Sequence, residues 1–348
     1  MSWLTDVDDD DQYSEYDESA VRVRPNPKAN KPRTKIRPEH ANAQSGRVFS
    51  VDRGRYGVWI DENTADERQL IATRARELGK NSVVTGDWVD LVGDTTGDEG
   101  SLARIVRIQP RSSLLRRSAD DTDAVERIIV ANADQMLIVV AAANPEPRTR
   151  LVDRYLVAAF DAGITPILCI TKTDLQDPAE FLANFAGLDI RVFESRSDDF
   201  PIDEITEAML GHTTVAVGHS GVGKSTLVNA LVPDANRAIG RVNDVTGRGR
   251  HTSSSTVSLR IGTGWIVDTP GVRSFGLGHI DPSNILKSFT DLAELSKACP
   301  RGCTHLPDAP DCAIIEGVAE GKLGTNGEQR LESFQRLITT LGTDARGT

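Results

Sequence analysis

Three short segments, each closing an apolar run, limit most tightly what this chain can fold into. Thr171-Lys172-Thr173-Asp174 follows Ile167-Leu168-Cys169-Ile170, Gly218-His219-Ser220-Gly221-Val222-Gly223-Lys224-Ser225 follows Val215-Ala216-Val217, and Asp268-Thr269-Pro270-Gly271 follows Trp265-Ile266-Val267. The middle segment fits G-x-x-x-x-G-K-[ST]. Its glycines let the backbone fold into a nest of N–H groups that cradle phosphate oxygens; Lys224 neutralises the outer phosphates and the Ser225 hydroxyl ligates Mg²⁺. The apolar stripe of Ser225-Thr226-Leu227-Val228-Asn229-Ala230-Leu231 predicts a helix. The phosphates would then lie at a helix N-terminus, where the dipole and the free N–H groups favour anions.

The other two segments complete a nucleotide site. Asp268 can hold Mg²⁺ through water, and Gly271 can turn its N–H toward a γ-phosphate. Asp174 can accept both N–H groups of a guanine edge while Lys172 packs over the base. Adenine offers no matching pair, so Asp174 argues for GTP over ATP. Alone, Thr-Lys-Thr-Asp also reads as a surface turn; its weight comes from the company of the other two. A further base-contacting loop is expected after Ile190-Arg191-Val192-Phe193, pointing at Ser195. Ordinary small GTPases run phosphate loop, D-x-x-G, base reader. Here the base reader comes first, so the parts are circularly permuted.

At 348 residues the chain can build two or three domains. A 39% hydrophobic and 26% charged composition is that of a soluble globular protein. No run approaches membrane-spanning length and Met1-Ser2-Trp3-Leu4-Thr5-Asp6 lacks signal-peptide character, so a cytoplasmic location and no membrane partner are expected. The net charge of −11 argues against indiscriminate nucleic-acid binding. It hides an asymmetry: acidic residues crowd Asp6 to Glu18, and Arg22, Arg24, Lys28, Lys31, Arg33, Lys35 and Arg37 follow. Residues 1–44 read as a disordered tail whose basic half is either an RNA-binding arm or a solvated run.

From residue 45 to 112, Val48–Val51, Tyr56–Ile60, Trp88–Val92 and Ala103–Ile108 read as short strands of a closed barrel of OB type. Pro110-Arg111-Ser112-Ser113-Leu114-Leu115-Arg116-Arg117 reads as a basic linker. Over 113–278, strands such as Met136–Val140 alternate with helical segments such as Leu151–Phe160, the pattern of a parallel α/β sheet. All three motifs fall at strand ends there, where such a sheet places its ligand. Residues 279–348 hold Cys299-x₃-Cys303-x-His305-x₆-Cys312, three thiolates and an imidazole suited to a closed structural zinc site. Cys169, inside a predicted strand, reads as plain core. The spacing of Leu331, Phe334, Leu337, Ile338 and Leu341 predicts a helix packed on the zinc unit.

Barrel, permuted GTPase and Cys₃His unit in that order resemble the bacterial small ribosomal subunit biogenesis GTPase A family. The similarity runs from about Gly46 to the C-terminus, and its most specific pieces are Gly218–Thr226 and Gly247-Arg248-Gly249-Arg250-His251-Thr252. The resemblance implies an α/β P-loop GTPase domain between a barrel and a helical zinc subdomain. It also implies a monomer that binds GTP or GDP with Mg²⁺, engages the small ribosomal subunit and its RNA late in maturation, and hydrolyses GTP slowly alone and faster on the subunit. Two departures stand out: the family usually has Asn where this chain has Thr171, and the cysteine spacings differ by a residue without losing a ligand.

Thr252, with Ser253 as the fallback, is the candidate switch residue for Mg²⁺ and the γ-phosphate. After Gly271, Val272 and Arg273 stand where Ras-like enzymes approach their water-orienting Gln, which predicts slow turnover alone. His251 has two readings: it reaches the attacking water once the ribosome orders Gly247–Ser255, or it contacts RNA or is structural. Two rival functions stay open, a GTP-gated RNA-binding module with incidental hydrolysis and a P-loop ATPase, the latter opposed by Asp174.

Overall fold

The computed structural model describes residues 40–79, 82–118, 126–233, 256–269, 275, 277–278 and 280–344. Residues 1–39, which carry nearly all of the expected tail, lie outside the described set, as do 247–255 and 270–274.

Strands β1 (Gln44–Asp52), β2 (Arg55–Ile60), β3 (Arg68–Arg74), β4 (Trp88–Gly93) and β5 (Ala103–Ile108) pair in the order β1-β2-β3-β5-β4, and β4 returns to β1. The sheet is thus closed on itself, with β3 and β5 parallel. This is the expected OB-type barrel. Alternation puts Val48, Val58, Ile60, Leu70, Ala72, Val89, Leu91, Ala103 and Ile105 in its interior. β3 escapes the sequence pattern because only Leu70 and Ala72 of its seven residues are buried, with arginines at both ends.

The segment read as a basic linker is corrected by the structure. Its last four residues, Leu114 to Arg117, belong to strand β6 (Leu114–Ser118), paired antiparallel with β7 (Glu126–Ala131) in a separate two-stranded sheet. Leu115 is buried on the α/β core, and Arg111 donates to the buried carboxylate of Asp87 at 2.6 and 2.8 Å. Those ties need partners from distant parts of the chain, which a local reading of arginines and serines cannot supply.

The α/β region runs β8 (Gln135–Ala141), α1 (Thr149–Asp161), β9 (Thr165–Thr171), α2 (Ala179–Ala183), β10 (Arg191–Glu194), α3 (Ile202–Met209), β11 (Thr213–Gly218), α4 (Lys224–Leu231), β12 (Val257–Ile261) and β13 (Gly264–Asp268). The sheet order is β10-β9-β8-β11-β13-β12, parallel throughout except for β12. Parallel strands buried on both faces need apolar side chains at every position. Accordingly Met136, Ile138 and Val140 of β8 face one core, with α1, while Leu137, Val139 and Ala141 face the other, with α3 and α4. Cys169 is wholly buried in β9, and burial pushes its thiol up to about 12, as befits a core residue.

Helices α5 (Pro282–Lys287), α6 (Thr290–Ser296), α7 (Ala313–Ala319) and α8 (Gly327–Asp344) follow. Asp281 caps α5 by accepting from Ser283 N, with Pro282 in the first helical turn. Phe334 of α8 packs on Phe289 and on the ring of His305, and Gln335 donates to the His305 carbonyl at 2.9 Å, so the helix does pack on the cysteine cluster. The same helix also grips α1. Arg336 meets Asp153, 2% exposed, at 3.1 Å and donates to Asn184 O at 2.7 Å. Burial pushes the Asp153 carboxyl up to about 6 although Arg336 pulls it down. No described helix is long and apolar enough to cross a membrane.

Candidate nucleotide site and metal centre

Because β9, β11 and β13 run parallel, their C-terminal ends open on one edge of the sheet, and the three motifs meet there. Gly218 ends β11 where a Cβ would come within 2.5 Å of the Val139 carbonyl oxygen, so this approach requires glycine. Gly223, at φ 93°, is the left-handed cap from which α4 starts. Lys224, Ser225 and Thr226 form the first turn of that helix, with Ser225 and Thr226 exposed. The Lys224 ammonium contacts Asp268, joining the phosphate loop to the end of β13. The Thr269 hydroxyl donates to Ala216 O at 2.9 Å and holds the start of the D-x-x-G turn over β11. Gly271 lies outside the described residues, as do His251, Thr252 and Ser253.

The Thr-Lys-Thr-Asp loop is bound to the phosphate loop. Thr171 Oγ1 donates to Val222 O at 2.6 Å, so a hydroxyl is enough to tether the loop where the family usually has an amide. Lys172, at φ 60°, extends its ammonium to Gly221 O at 2.9 Å and to Asn144 O. Asp174 is exposed and accepts from Ser197 N at 2.6 Å and Ser197 Oγ at 2.9 Å; the Ser197 backbone bond, foremost, holds its carboxyl below the usual range. An ionised carboxylate at that point can accept two N–H groups from a base edge.

Ser195 is 2% exposed and built into the backbone: its N–H donates to Ile170 O at 2.8 Å and its carbonyl accepts from Thr173 N at 3.1 Å. Its hydroxyl turns to Arg196 O and Asp199 O, and Ser197 is the residue that meets Asp174. The sequence held no signal for Ser197 beyond its being two residues farther along the same loop. Also missed was the Asn144–Arg148 segment. With His219 and Val222, residues Pro145 to Arg148 line a shallow cleft between the phosphate loop and α1. His219 Nδ1 lies 2.9 Å from Ser220 O.

Cys299, Cys303, His305 and Cys312 converge so that their ligand atoms all lie within 4.8 Å of one another. Cys299 Sγ is 3.9 Å from Cys312 Sγ, and His305 Nδ1 is 3.7 and 3.6 Å from those sulfurs. Zinc–sulfur bonds of about 2.3 Å in a tetrahedron put sulfurs roughly 3.8 Å apart, so the donor set fits a closed metal site. Burial holds the imidazole below its ordinary value, which favours the neutral ring a metal needs.

A family model described as RsgA GTPase matches residues 108–278. A protein of Pseudomonas aeruginosa named small ribosomal subunit biogenesis GTPase RsgA is 32% identical over 311 residues, 86% of each chain. The protein of the same name from Saccharophagus degradans is 34% identical over 296 residues, 81% of this chain and 82% of that one. Among solved structures, YjeQ from Thermotoga maritima has a TM-score of 0.63 at 25% identity, covering 86% of this chain and 98% of that chain. YloQ, described as a circularly permuted GTPase, has a TM-score of 0.61 at 25% identity, covering 87% and 98%. On the permuted loops at one sheet edge, and on relatives that match over most of its length, the chain belongs to the RsgA GTPase family.

Proposed function

We propose that this protein is a cytoplasmic GTPase that binds the small ribosomal subunit and its RNA, assists late maturation, and couples GTP hydrolysis to its own release. The observation that carries the reading is the closure of the base-reading loop onto the phosphate loop through Thr171, Lys172 and Asn144, which forms one continuous nucleotide cradle. Gly218 to Thr226 bind the phosphates, Lys224 holds charge at the β- and γ-phosphates, and Thr171, Lys172 and Asp174 form the guanine side, with Ser195 anchoring the loop behind them. Ser225 and Thr252 are the residues that hold Mg²⁺, assisted by Asp268; the ion supplies charge neutralisation on the phosphates. Gly271 contributes its N–H to the γ-phosphate, and on the subunit His251 orients the attacking water. Cys299, Cys303, His305 and Cys312 hold one structural zinc. The corresponding domains are a barrel over 45–112, the GTPase domain over 113–278 and the zinc unit over 279–348.

The test is steady-state turnover of GTP and ATP with and without purified small subunits. We expect slow GTP turnover alone, at least tenfold stimulation by subunits, and none with ATP. Subunit-independent turnover combined with release that needs only bound GTP would establish the GTP-gated binding module instead, and an ATP preference would reject the base assignment. A second test addresses Asp174. An amide can accept from a base N1–H but donates where guanine also donates, whereas xanthine carries a carbonyl there. Asp174→Asn is therefore expected to weaken GTP binding by about 100-fold or more and to gain xanthosine triphosphate binding. Equal GTP affinity in titrations of the two proteins would remove Asp174 from the base site.

A further inference from the structure

Three of the four tryptophans, Trp59, Trp88 and Trp265, gather where the barrel meets the α/β sheet. Between them lies Arg47 of β1, only 7% exposed. Its guanidinium sits 5.7 Å from the Trp88 ring of the barrel and 5.3 Å from the Trp265 ring of β13, and it donates to Thr213 Oγ1 at the start of β11. Glu62 and Asp134 act on its charge from a distance, and no ion-pair partner is in contact among the described residues. Burying a cation against two rings and one hydroxyl is costly compared with an apolar side chain of the same length. Packing alone does not account for an arginine here.

What Arg47 does join is specific. β11 and β13 are the strands that end in Gly218 and Asp268. β1 keeps its pairing with β2 through Asp52, with a register shift between Val48 and Ser50, while its other edge passes from β4 over Gln44–Arg47 to β12 at Ser50↔Val257. Val257 lies directly opposite Asp268, and Asp268 opposite Ala216, so one cross-strand row runs from the barrel to the phosphate loop's own strand. Thr85 donates to Thr256 O at 3.2 Å, and Arg260 of β12 reaches Asn63 and Glu67 of the barrel at 2.5 and 3.2 Å. The barrel is therefore welded to the hairpin that carries Asp268, the partner of Lys224.

We propose that Arg47 is a positioning residue for GTP hydrolysis: by locking β1 to β11 and β13, it makes a partner seated on the barrel set the placement of Asp268 relative to Lys224. The inference rests on the proposed reading of a subunit-stimulated GTPase, and its test separates the two. Arg47→Met keeps the apolar stem and removes the charged fork; Thr213→Val removes only the acceptor and guards against a folding failure in the first variant. Both are made in a Trp3→Phe background, so that emission reports Trp59, Trp88 and Trp265. At saturating subunits, kcat of Arg47→Met is expected to fall about tenfold, with KM for GTP within about twofold and subunit affinity within about threefold. Thr213→Val should shift kcat the same way by less, and Arg47→Lys should recover part of it. The emission difference between complexes with a non-hydrolysable GTP analogue and with GDP, present in the parent, should vanish in Arg47→Met. Full stimulation of Arg47→Met, or a kcat loss that tracks lost subunit affinity or melting temperature, overturns the proposal. If subunits fail to stimulate the parent at all, the functional reading falls and emission decides alone. A nucleotide-dependent difference lost in Arg47→Met sustains the coupling, and no difference in the parent overturns it.

Discussion

Replacing Lys224 by alanine should abolish subunit-stimulated GTP turnover, by roughly 10³-fold or more, while the chain stays folded. One preorganised donor aimed at developing charge contributes about 10²–10³ in rate, and a full positive charge at the β/γ-bridge contributes more than a neutral donor. Lys224 lies at the first turn of α4 with its ammonium on Asp268 and its side chain 13% exposed. Stability should change little. The deleted ion pair has a partner, Asp268, whose side chain is 26% exposed and can be rehydrated, and such partly solvated pairs contribute on the order of 1 kcal/mol or less. The measurement is single-turnover hydrolysis with subunits in excess, beside a thermal melt. A variant that retains turnover within tenfold would show that the charge at this position is not part of phosphoryl transfer. A melt lowered by many degrees would instead assign Lys224–Asp268 a structural role.

Removing the proposed zinc should have the largest effect on stability. The four donors of the cluster are not an appendage: Cys312 is buried, and Cys299 and Cys303 pack against the same core that holds Leu292, Ile314, Phe334 and Tyr155. Without the ion, three sulfurs and an imidazole within 4.8 Å of one another have no common partner. Structural zinc sites supply about 10–16 kcal/mol of apparent binding free energy in small peptides, so even a fraction of that is a large share of the roughly 5–15 kcal/mol by which a typical domain is stable. We expect a strong chelator, or Cys312→Ser, to lower the melting temperature by roughly 10 °C or more. Near-ultraviolet dichroism from the Phe289–Phe334 region should be lost, and metal analysis of the untreated protein should give one zinc per chain. Unchanged melting after verified metal removal would mean that the thiols are simply packed, as Cys169 is.

α8 explains why that loss should spread. Phe334 and Gln335 contact His305, while two residues on, Arg336 reaches Asp153 of α1 and Asn184 beyond α2. Arg330 adds bonds to Asp291 at 2.5 and 2.8 Å. The cysteine–histidine unit is thereby fastened to the half of the α/β region whose β9 ends at Thr171. The 3.6-residue spacing of Leu331, Phe334, Leu337 and Ile338 foretold one apolar face. It could not foretell that Arg336, on another face, would meet a buried carboxylate 183 residues earlier.

What this sequence determined by itself is whatever a few consecutive residues encode: apolar runs that become buried parallel strands, glycines that only a tight phosphate loop requires, a lysine and serine at a helix start, and a thiolate–imidazole set. From those came the fold class, the motif order and the donor set, because local sterics and ligand chemistry act within the segment that carries them. Tertiary structure alone decided the pairings between distant segments. β3 exists because β2 and β5 flank it, Leu114–Ser118 is a strand because β7 completes it, and Ser197 reaches Asp174 because β9 and β10 align their ends. Arg47 sits between two tryptophans because one edge of β1 pairs first with β4 of the barrel and then with β12. Hydrogen-bonded pairing and burial are properties of two partners, and neither partner's sequence names the other.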